Sequence, residues 1–432
     1  MHEINREYIL IDADYNELTE GQMADHMAAE LSGDYGEWGV TEITYECKKC
    51  GNIVIEQIDG CHVDNKREHN LKPKTPYDRI SQRWKERVNK VKEYEVIESE
   101  EESYGEFMPS ITFGVDHQEY QRAEKLKQRL LKKYKGKKLE DVIEGEEFRT
   151  NKGICYQIEN QDEINLKVIN PDQARKKILS ELRLIYGIGE VTERILKEEG
   201  YKTIEDLTEH PRFDFEAKRF LEIVDKCDTC QIVDWVGHWF PKSHPLALYP
   251  SGFYEKEDFT FFDIETLGLF NRPIILFGVA QISGDQILIN QYFLRDIKEE
   301  PGALMGFLSQ INKNSIFITF NGRTFDIPYT RERLAYYRIK GKGDLEKPHF
   351  DILHFSRRAW KERVPNCRLT TLEKHLLGIE RKDDVPSALV PEFYETYMRT
   401  KNIGPIIPII ERNKQDLITL AKIFSKLHEE WE

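Results

Sequence analysis

An α/β fold is predicted for the C-terminal part of the chain from three apolar stretches that differ in periodicity. The aromatic-led stretch Phe261 to Leu269 is predicted as a strand, and the apolar run Ile274 to Ala280 completes a β-hairpin with it. Ser315 to Phe320 is a short second strand, and the stretch that opens at Asp416 has the apolar periodicity of a helix. Strands and helices in this order predict a sheet that is covered by helices.

The first predicted strand carries two carboxylates on one face. Residues two apart in a strand point to the same side, so Asp263 and Glu265 project together from an otherwise apolar segment. Two like charges in a poorly hydrated place repel each other, and a bound cation relieves that repulsion. Because only oxygen ligands are present, the chemistry favours Mg²⁺ or Mn²⁺. The alternative is a chance pair at a strand end, with both carboxylates in water.

Two further carboxylates follow other apolar elements. An Asn-Gly turn that begins at Asn321 places Asp326 just beyond the second short strand. Asp416 is predicted near the N-terminal end of its amphipathic helix. The chain therefore presents four carboxylates against apolar secondary structure, in the order Asp263, Glu265, Asp326 and Asp416.

The order and surroundings of these carboxylates resemble the DEDD exonucleases, which have a ribonuclease H-like fold. Further motifs narrow the resemblance to the YprB-like branch of predicted 3′–5′ exonucleases, over roughly residues 258–427. The resemblance implies a mixed five-stranded sheet with helices on both faces. The motifs that carry it are Phe350 to His354, Arg357 to Lys361, Cys367 to Leu369, Leu372 to Gly378 and Asp383 to Pro386.

The resemblance also implies a reaction, the hydrolysis of phosphodiester bonds at the ends of single-stranded nucleic acid, either DNA or RNA. Two divalent ions, Mg²⁺ or Mn²⁺, would activate water and stabilise the phosphate and the leaving alkoxide. Asp263 would bridge both ions, and Glu265 and Asp416 would complete the water-activating position. Asp326 would hold the second ion, and Asn321 would touch the terminal sugar or phosphate.

One position departs from the family. Relatives have His or Tyr on the helix before the last Asp, whereas this chain has Arg412 one helical turn before Asp416, on the same face. Arginine stays protonated in proteins and cannot act as a base. Three outcomes are open. A metal-bound hydroxide could attack without a side-chain base, or His349 or His354 could serve as the base in place of the missing residue. Alternatively, the domain binds ends and cuts poorly. The competing hypothesis is a nucleic-acid-binding protein that keeps the fold but has lost catalysis.

A basic cluster follows the Phe350 motif. Clustered arginines in a chain of negative net charge favour contacts with a nucleic-acid strand, and the alternative is a solvated helix face. Asn321 and Arg412 are further candidate contacts with nucleic acid. The basic cluster consists of Arg357, Arg358, Lys361, Arg363 and Arg368.

Three regions are predicted: residues 1–110 as an α+β region, 111–250 as a small sheet with a helical module, and 251–432 as the ribonuclease H-like domain. The strands of the small sheet are predicted within 139–170. A Lys- and Arg-rich helix at Glu119 to Lys138 either faces phosphates or serves as an ordinary surface helix.

The helical module contains Gly187 and Gly189 between two predicted helices, at about 173–184 and at Glu193 to Glu199. This stretch resembles a helix-hairpin-helix, in which exposed backbone amides hold a phosphate without reading a base. The alternative is a helical hairpin that is used only for packing.

The cysteines predict one structural Zn²⁺. A Cys-x-x-Cys pair followed by Gly51 is typical of a zinc knuckle, and its spacing to later ligands leaves Cys₃His and Cys₄ sites open. The alternative is a set of ordinary reduced cysteines. The candidate ligands are Cys47, Cys50, Cys61, His62, Cys227 and Cys230.

The chain as a whole has 432 residues and a net charge of −14. That charge has the wrong sign for a protein that coats nucleic acid, although metal ions and a local basic surface allow a nuclease to meet phosphates. No apolar run approaches the roughly 18 residues that span a bilayer, and the N-terminus has no signal-peptide pattern. We therefore expect a cytoplasmic protein without a membrane partner. The sequence leaves its oligomeric state open.

Overall fold

A computed structural model of the protein describes residues 4–11, 40–47, 53–59, 117–268, 272–341 and 345–431. The chain divides into two compact units, and each is described by itself. Their bounds are Met1–Glu95 and Val96–Glu432.

The first unit contains a three-stranded antiparallel sheet with the spatial order β1-β2-β3. The strands follow one another along the sheet as they do along the chain, which is the order of a simple meander. The three strands are β1 (Ile4–Ile11), β2 (Val40–Cys47) and β3 (Ile53–Asp59).

The second unit is built around a seven-stranded sheet with the spatial order β10-β9-β6-β7-β8-β5-β4. Strands β4 to β8 pair antiparallel with their neighbours, whereas β9 lies parallel to β6 and β10 parallel to β9. The strands are β4 (Glu146–Thr150), β5 (Gly153–Glu163), β6 (Phe259–Thr266), β7 (Ile274–Ser283), β8 (Gln286–Phe293), β9 (Ile316–Thr319) and β10 (His349–Asp351).

Helices flank this sheet, and together they confirm the predicted α/β fold with a mixed sheet. A π-helical turn at Glu373–Leu377 follows the tenth helix. The helices are α1 (His117–Lys133), α2 (Pro171–Leu179), α3 (Glu190–Glu198), α4 (Asp214–Asp225), α5 (Thr229–Trp239), α6 (Pro245–Leu248), α7 (Glu300–Ser309), α8 (Asp326–Tyr336), α9 (Ile352–Trp360), α10 (Leu369–Leu372), α11 (Val390–Thr400) and α12 (Ile407–Trp431).

The small sheet predicted within 139–170 is not a separate sheet. Its strands are β4 and β5, and β5 pairs along its length with β8, so they extend the C-terminal sheet from five strands to seven. Residues 139–142 form turns and 164–169 form no strand. The physical reason is the open edge of β8, whose unpaired backbone groups β5 satisfies.

Residue alternation in β6 sorts its side chains to the two faces of the sheet. Phe259 and Phe261 pack against Phe424 of α12, with ring centroids 5.2 and 6.1 Å apart respectively. Phe262 packs on the other face against Phe307 of α7, at 5.3 Å. Because side chains repeat every second residue, the next two positions on the α12 face are 263 and 265. The core therefore presents the Asp-x-Glu pair to the longest helix.

The last helix begins earlier than the sequence indicated. Asp416 was expected near a helix N-terminus, but α12 starts at Ile407, so Asp416 lies well inside the helix. The 3₁₀ turn Gly404–Ile406 leads into it, and Pro408 falls in its first turn, where a missing N–H costs nothing. No helix within the described ranges is both long enough and apolar enough to cross a membrane. The location of the protein stays a prediction.

Candidate metal centre

Three carboxylates meet where β6 faces α12. Asp263 and Glu265 come from β6 and Asp416 from α12, and each offers an oxygen that lies within 4.8 Å of the other two. We call these three residues the carboxylate triad. Across the described part of the chain, no other group of three or more acidic, His or Cys side chains comes together in this way.

Asp326 lies beside the triad but is not part of it. It is the first residue of α8 and is 4% exposed. Its Oδ1 accepts a hydrogen bond from the backbone N–H of Ile264, at 3.1 Å, between the two acidic positions of β6. Burial first, and then the charge of Asp263, raise the pKa of the Asp326 carboxyl well above its usual range. The fourth predicted carboxylate therefore interacts electrostatically with Asp263 of the triad.

The triad is poorly hydrated, and its strand members resist ionisation. Loss of hydration, followed by the charge of Asp416, raises the pKa of Asp263 to about 7. Burial raises the pKa of Glu265 well above its usual range, although the nearby Arg412 opposes the shift. A cation that bound here would restore both to the ionised form.

Asn413 holds Asp263 in place from α12. Its Nδ2 donates to Asp263 Oδ2 at 2.9 Å and lies 3.2 Å from Asp263 O. Gln291 Nε2 donates to Asn413 Oδ1 at 2.9 Å and to Ile410 O at 2.9 Å. The strand register puts Gly278 between Asp263 and Gln291, and a Cβ at Gly278 would lie 2.1 Å from Asn413 Oδ1. The missing side chain at this glycine makes room for the asparagine.

Arg412 contacts the triad from one turn before Asp416. Its Nε lies 3.5 Å from Glu265 Oε1 and 3.5 Å from Asp416 Oδ2. Nη1 donates to Val385 O at 2.8 Å and lies 3.2 Å from Asp384 Oδ1. Burial disfavours the charged guanidinium, but Asp416 and then Glu265 outweigh it and raise the pKa of Arg412. This side chain is a permanent cation.

A second arginine approaches the triad from the other direction. Arg381 Nη2 donates to Asp416 Oδ1 at 2.6 Å, and its Nε donates to Glu373 Oε2 at 2.6 Å. Glu373 is fully buried in the π-helical turn, and burial raises the pKa of its carboxyl. Asp416 is thus held between two arginines.

The donor set fits a hard divalent cation. All the ligand atoms are carboxylate oxygens, which Mg²⁺ and Mn²⁺ prefer. When all four are ionised, the triad and Asp326 outnumber the two arginines that contact the triad, and a cation would neutralise the negative excess. These residues are therefore an acidic cluster of the kind that holds divalent metals.

Comparison with known proteins agrees with the fold of this part of the chain. Residues 260–428 match the family described as RNase_H superfamily. Residues 260–428 form an RNase H-like domain. A relative from Bacillus subtilis (strain 168), named "Uncharacterized protein YprB", is 32% identical over 174 residues. That match spans 40% of this chain and 42% of the relative, so it covers less than half of either protein. Together the two matches support a similarity to YprB-like proteins with an RNase H-like fold.

The turn after β9 in the RNase H-like domain is held by Asp351. Asp351 Oδ1 accepts from the backbone N–H of Asn321 at 2.8 Å, and Oδ2 from that of Arg323 at 3.1 Å. Asn321 has a left-handed backbone, with φ of 69°, and its half-buried side chain accepts from Thr324 Oγ1 at 2.7 Å. The turn predicted at Asn321 is therefore present and leads directly into Asp326.

The two histidines proposed as alternative bases differ in their surroundings. His349 Nε2 lies 2.7 Å from Thr319 Oγ1, and burial, with Arg323 next, lowers the pKa of His349 well below its usual range. This neutral ring links β10 to β9 through its contact with Thr319. His354 lies half-buried on α9.

The basic cluster lies on α9 and just after it, in the RNase H-like domain. Arg357 is half-buried, and Arg358 and Arg368 are exposed. Arg363 is exposed and forms an ion pair with Glu430. The structure thus leaves Arg358 facing solvent from the last turn of α9, where a strand has access to it.

The glycines of the helix-hairpin-helix-like stretch lie between helices, as expected. Gly187 has φ of 84°, a backbone that favours glycine, and Gly189 is the N-cap of α3. The flanking helices are α2 and α3, which replace the predicted ranges of about 173–184 and Glu193 to Glu199. Phosphate binding by this stretch stays a prediction.

The structure describes only some of the candidate zinc ligands. Cys47 is the last residue of β2, and Cys50, Cys61 and His62 lie outside the described residues. Cys227 and Cys230 are free and exposed at the start of α5. The zinc site stays a prediction.

Four residues at the centre were missed by sequence reasoning: Arg381, Glu373, Asn413 and Gln291. Arg381 sits in the charged run Glu380 to Lys382, which looks like solvated surface, and the other three become polar contacts only through tertiary packing. For Asn413, its place between Arg412 and Asp416 was the available signal.

Proposed function

We propose that this chain is a divalent-metal-dependent 3′–5′ exonuclease that hydrolyses phosphodiester bonds at the ends of single-stranded nucleic acid. The observation that carries the proposal is the carboxylate triad, with oxygens from β6 and α12 within 4.8 Å of one another in a poorly hydrated setting. The family match supports a nuclease; the polarity, the preference for ends and the strandedness come from the resemblance to DEDD exonucleases.

The finer mechanism that we propose needs two positive centres beside the scissile phosphate, as in the two-ion arrangement of that family. Asp263, Glu265 and Asp416 would hold divalent metal, with Asp326 as a further ligand. Metal held there would supply an activated water and would stabilise the leaving alkoxide. Asn413 orients Asp263 by donating to its carboxylate. Arg381 fixes the position of Asp416 through a hydrogen bond from Nη2 to Oδ1 at 2.6 Å.

Two further features of the domain support a nucleic-acid strand as the substrate. Asn321 lies in the turn that leads to Asp326, and in this proposal its side chain contacts the terminal nucleotide. Arg358 is exposed on α9, and exposed arginines suit a phosphate backbone. We keep both DNA and RNA as substrates, because no described contact is specific for a 2′-hydroxyl. One structural Zn²⁺ on the predicted cysteine and histidine ligands belongs to the same proposal.

A second candidate function is a nucleic-acid-binding protein that cuts weakly or not at all. The observation that favours it is the ion pairing of Arg412 with Glu265 and Asp416, at 3.5 Å each. Arginine cannot deprotonate a water. General-base assistance is typically worth about 10²–10⁴ in rate, so its loss alone slows an enzyme without abolishing its activity.

The two functions are separated by a cleavage assay. Single-stranded DNA and RNA oligonucleotides, labelled at the 3′ or the 5′ end, are incubated with the full chain over a titration of Mn²⁺ or Mg²⁺. We expect stepwise loss of nucleotides from the 3′ end that depends on the metal, with Asp263→Ala as the blank. Equal degradation by wild type and Asp263→Ala would reject the enzyme. Tight, metal-stimulated binding without cleavage would favour the second function.

A further inference from the structure

Arg412 places a fixed positive charge beside two members of the carboxylate triad. Its Nε is 3.5 Å from Glu265 Oε1 and 3.5 Å from Asp416 Oδ2. In the two-ion arrangement these two carboxylates serve the same, water-activating cation. A guanidinium therefore stands next to the oxygens that a second divalent cation would need, and like charges at such distances repel strongly in a poorly hydrated setting.

The guanidinium is also anchored by groups that do not belong to the triad. Nη1 donates to Val385 O at 2.8 Å and pairs with Asp384, whose Oδ1 lies at 3.2 Å. Nη2 donates to Ser387 Oγ at 2.8 Å. The Arg412 side chain is only 13% exposed. These three partners do not depend on Glu265 or Asp416. They therefore still hold the Arg412 guanidinium in place when those two carboxylates bind a cation.

The Nε of Arg412 is the part of the guanidinium that faces the triad, and it is left without a hydrogen-bond acceptor. It is buried, and no acceptor among the described residues lies at hydrogen-bonding distance and geometry. Buried donors in native proteins are usually paired, and an exception calls for a functional explanation. A charged N–H that faces a metal centre and makes only long ion pairs with its carboxylates suits an oxygen of a bound phosphate.

We infer that Arg412 is one of the two positive centres of the site, so that the chain binds one divalent cation instead of two. This inference rests on the proposed nuclease function and specifies its cation count. The cation occupies the side of the triad shared by Asp263 and Asp326, while Arg412 supplies the charge beside Glu265 and Asp416. Arg412 acts by charge and hydrogen bonding, because a protonated guanidinium cannot accept a proton from water.

The inference is tested by counting Mn²⁺ ions on the full chain with isothermal titration calorimetry. Wild type is expected to bind one Mn²⁺ per chain, and Arg412→Gln is expected to bind two. Arg412→Lys, which keeps the charge, and Arg149→Gln, which removes an exposed arginine on β4, are expected to bind one. Asp263→Asn defines the binding that belongs to this site, and circular dichroism checks that each variant is folded.

A second measurement needs only the wild-type protein. Two Mn²⁺ ions in a two-metal site lie about 3.5–4 Å apart and give a spin-coupled electron paramagnetic resonance spectrum. We expect the spectrum of isolated Mn²⁺ at saturation. This readout keeps the inference open to refutation even where Arg412→Gln does not fold.

The outcomes separate this inference from the function on which it rests. Two ions on wild type, or a spin-coupled pair, overturn the single-cation site and leave a metal-dependent nuclease intact. One ion on both wild type and Arg412→Gln also overturns it, since Arg412 then excludes nothing. If Mn²⁺ binding does not depend on Asp263 in any variant, the proposed metal-dependent function itself fails.

Discussion

The side-chain amide of Asn413 donates to the carboxylate of Asp263 across 2.9 Å, and this bond ties α12 to the centre of β6. The orientation of the amide is fixed, because Gln291 donates to its oxygen from the opposite side. The hydrogen bond also favours the ionised form of Asp263 against the effect of burial. A side chain that sequence reasoning overlooked thus fixes the position of the central carboxylate and moderates the rise in its pKa.

The gap at Gly278 is required for this contact. In Gly278→Ala the new Cβ would meet Asn413 Oδ1 at 2.1 Å, so the amide must move or the strands must separate. We expect a loss of roughly 1–3 kcal/mol in the free energy of unfolding, the usual range for overpacking. Urea denaturation measures it. Gly237→Ala, where a Cβ meets nothing within 4 Å, is the control and should be neutral or stabilising.

The same clash predicts coupling between positions 278 and 413. Asn413→Ala removes the amide that the methyl group introduced by Gly278→Ala would strike, so the double variant should lose less stability than the two single variants together. For residues in contact, such coupling is about 0.5–3 kcal/mol. Strict additivity of the two changes would show that Asn413 does not fill the gap.

The ion pair between Arg381 and Glu373 predicts an asymmetric response to mutation. Both side chains are at most 10% exposed, and they are joined at 2.6 Å. Arg381→Met leaves Glu373 without its partner and should destabilise the fold by about 3–5 kcal/mol, because an unpaired buried charge is costly. The double variant Arg381→Met/Glu373→Met should recover the part of that loss that comes from Glu373, whereas the part that comes from the broken contact with Asp416 remains. The free energy of unfolding is measured by urea denaturation. If it is as low in the double variant as in Arg381→Met, the pairing is contradicted.

The raised pKa of Asp263 predicts how stability depends on pH in the metal-free protein. The folded protein keeps a proton on this carboxyl to about pH 7, whereas the unfolded chain releases it near pH 4, so this group makes the fold less stable as pH rises through that window. Asp263→Asn is neutral at every pH. The melting temperature of the variant minus that of wild type should therefore increase from pH 5 to pH 8.

This difference removes the contributions of titrating groups that do not interact with Asp263. The pKa of His244 is lowered to about 4 and that of His428 to about 3, mainly by burial, and both act in wild type and variant alike. Saturating Mn²⁺ should stabilise wild type more at pH 8 than at pH 5, because the ligands must be deprotonated. A difference in melting temperature that stays constant across the range would show that Asp263 ionises normally.

Contact between Arg358 and a phosphate predicts a change in salt dependence. Each phosphate contact on a single strand contributes about 0.7 to the slope of log K against log salt concentration. Arg358→Gln should reduce the slope by roughly that amount when binding of a single-stranded oligonucleotide is followed by fluorescence anisotropy. The matched control is Arg149→Gln, on β4 at the opposite edge of the sheet, which changes the net charge equally. Identical slopes for both variants would place the strand elsewhere.

The parts of the fold that follow from local patterning were predictable. The period of two in β6 put Asp263 and Glu265 on one face, and the Asn-Gly turn placed Asp326 at the start of a helix. The extension of the sheet by β4 and β5 was not, because it depends on pairing with β8 from more than a hundred residues away. Arg381 was missed for a similar reason, since only tertiary packing buries a residue from a charged run.

The central claim is that Asp263, Glu265 and Asp416 bind a divalent cation, and anomalous diffraction tests it most directly. Crystals of the wild-type protein are soaked with Mn²⁺, and anomalous difference density is measured near the manganese absorption edge. The account predicts a peak within coordination distance of oxygens from Asp263 and at least one other member of the triad. Full Mn²⁺ saturation with no peak at these carboxylates, and with Arg381 and Arg412 still paired to Asp416, would contradict it.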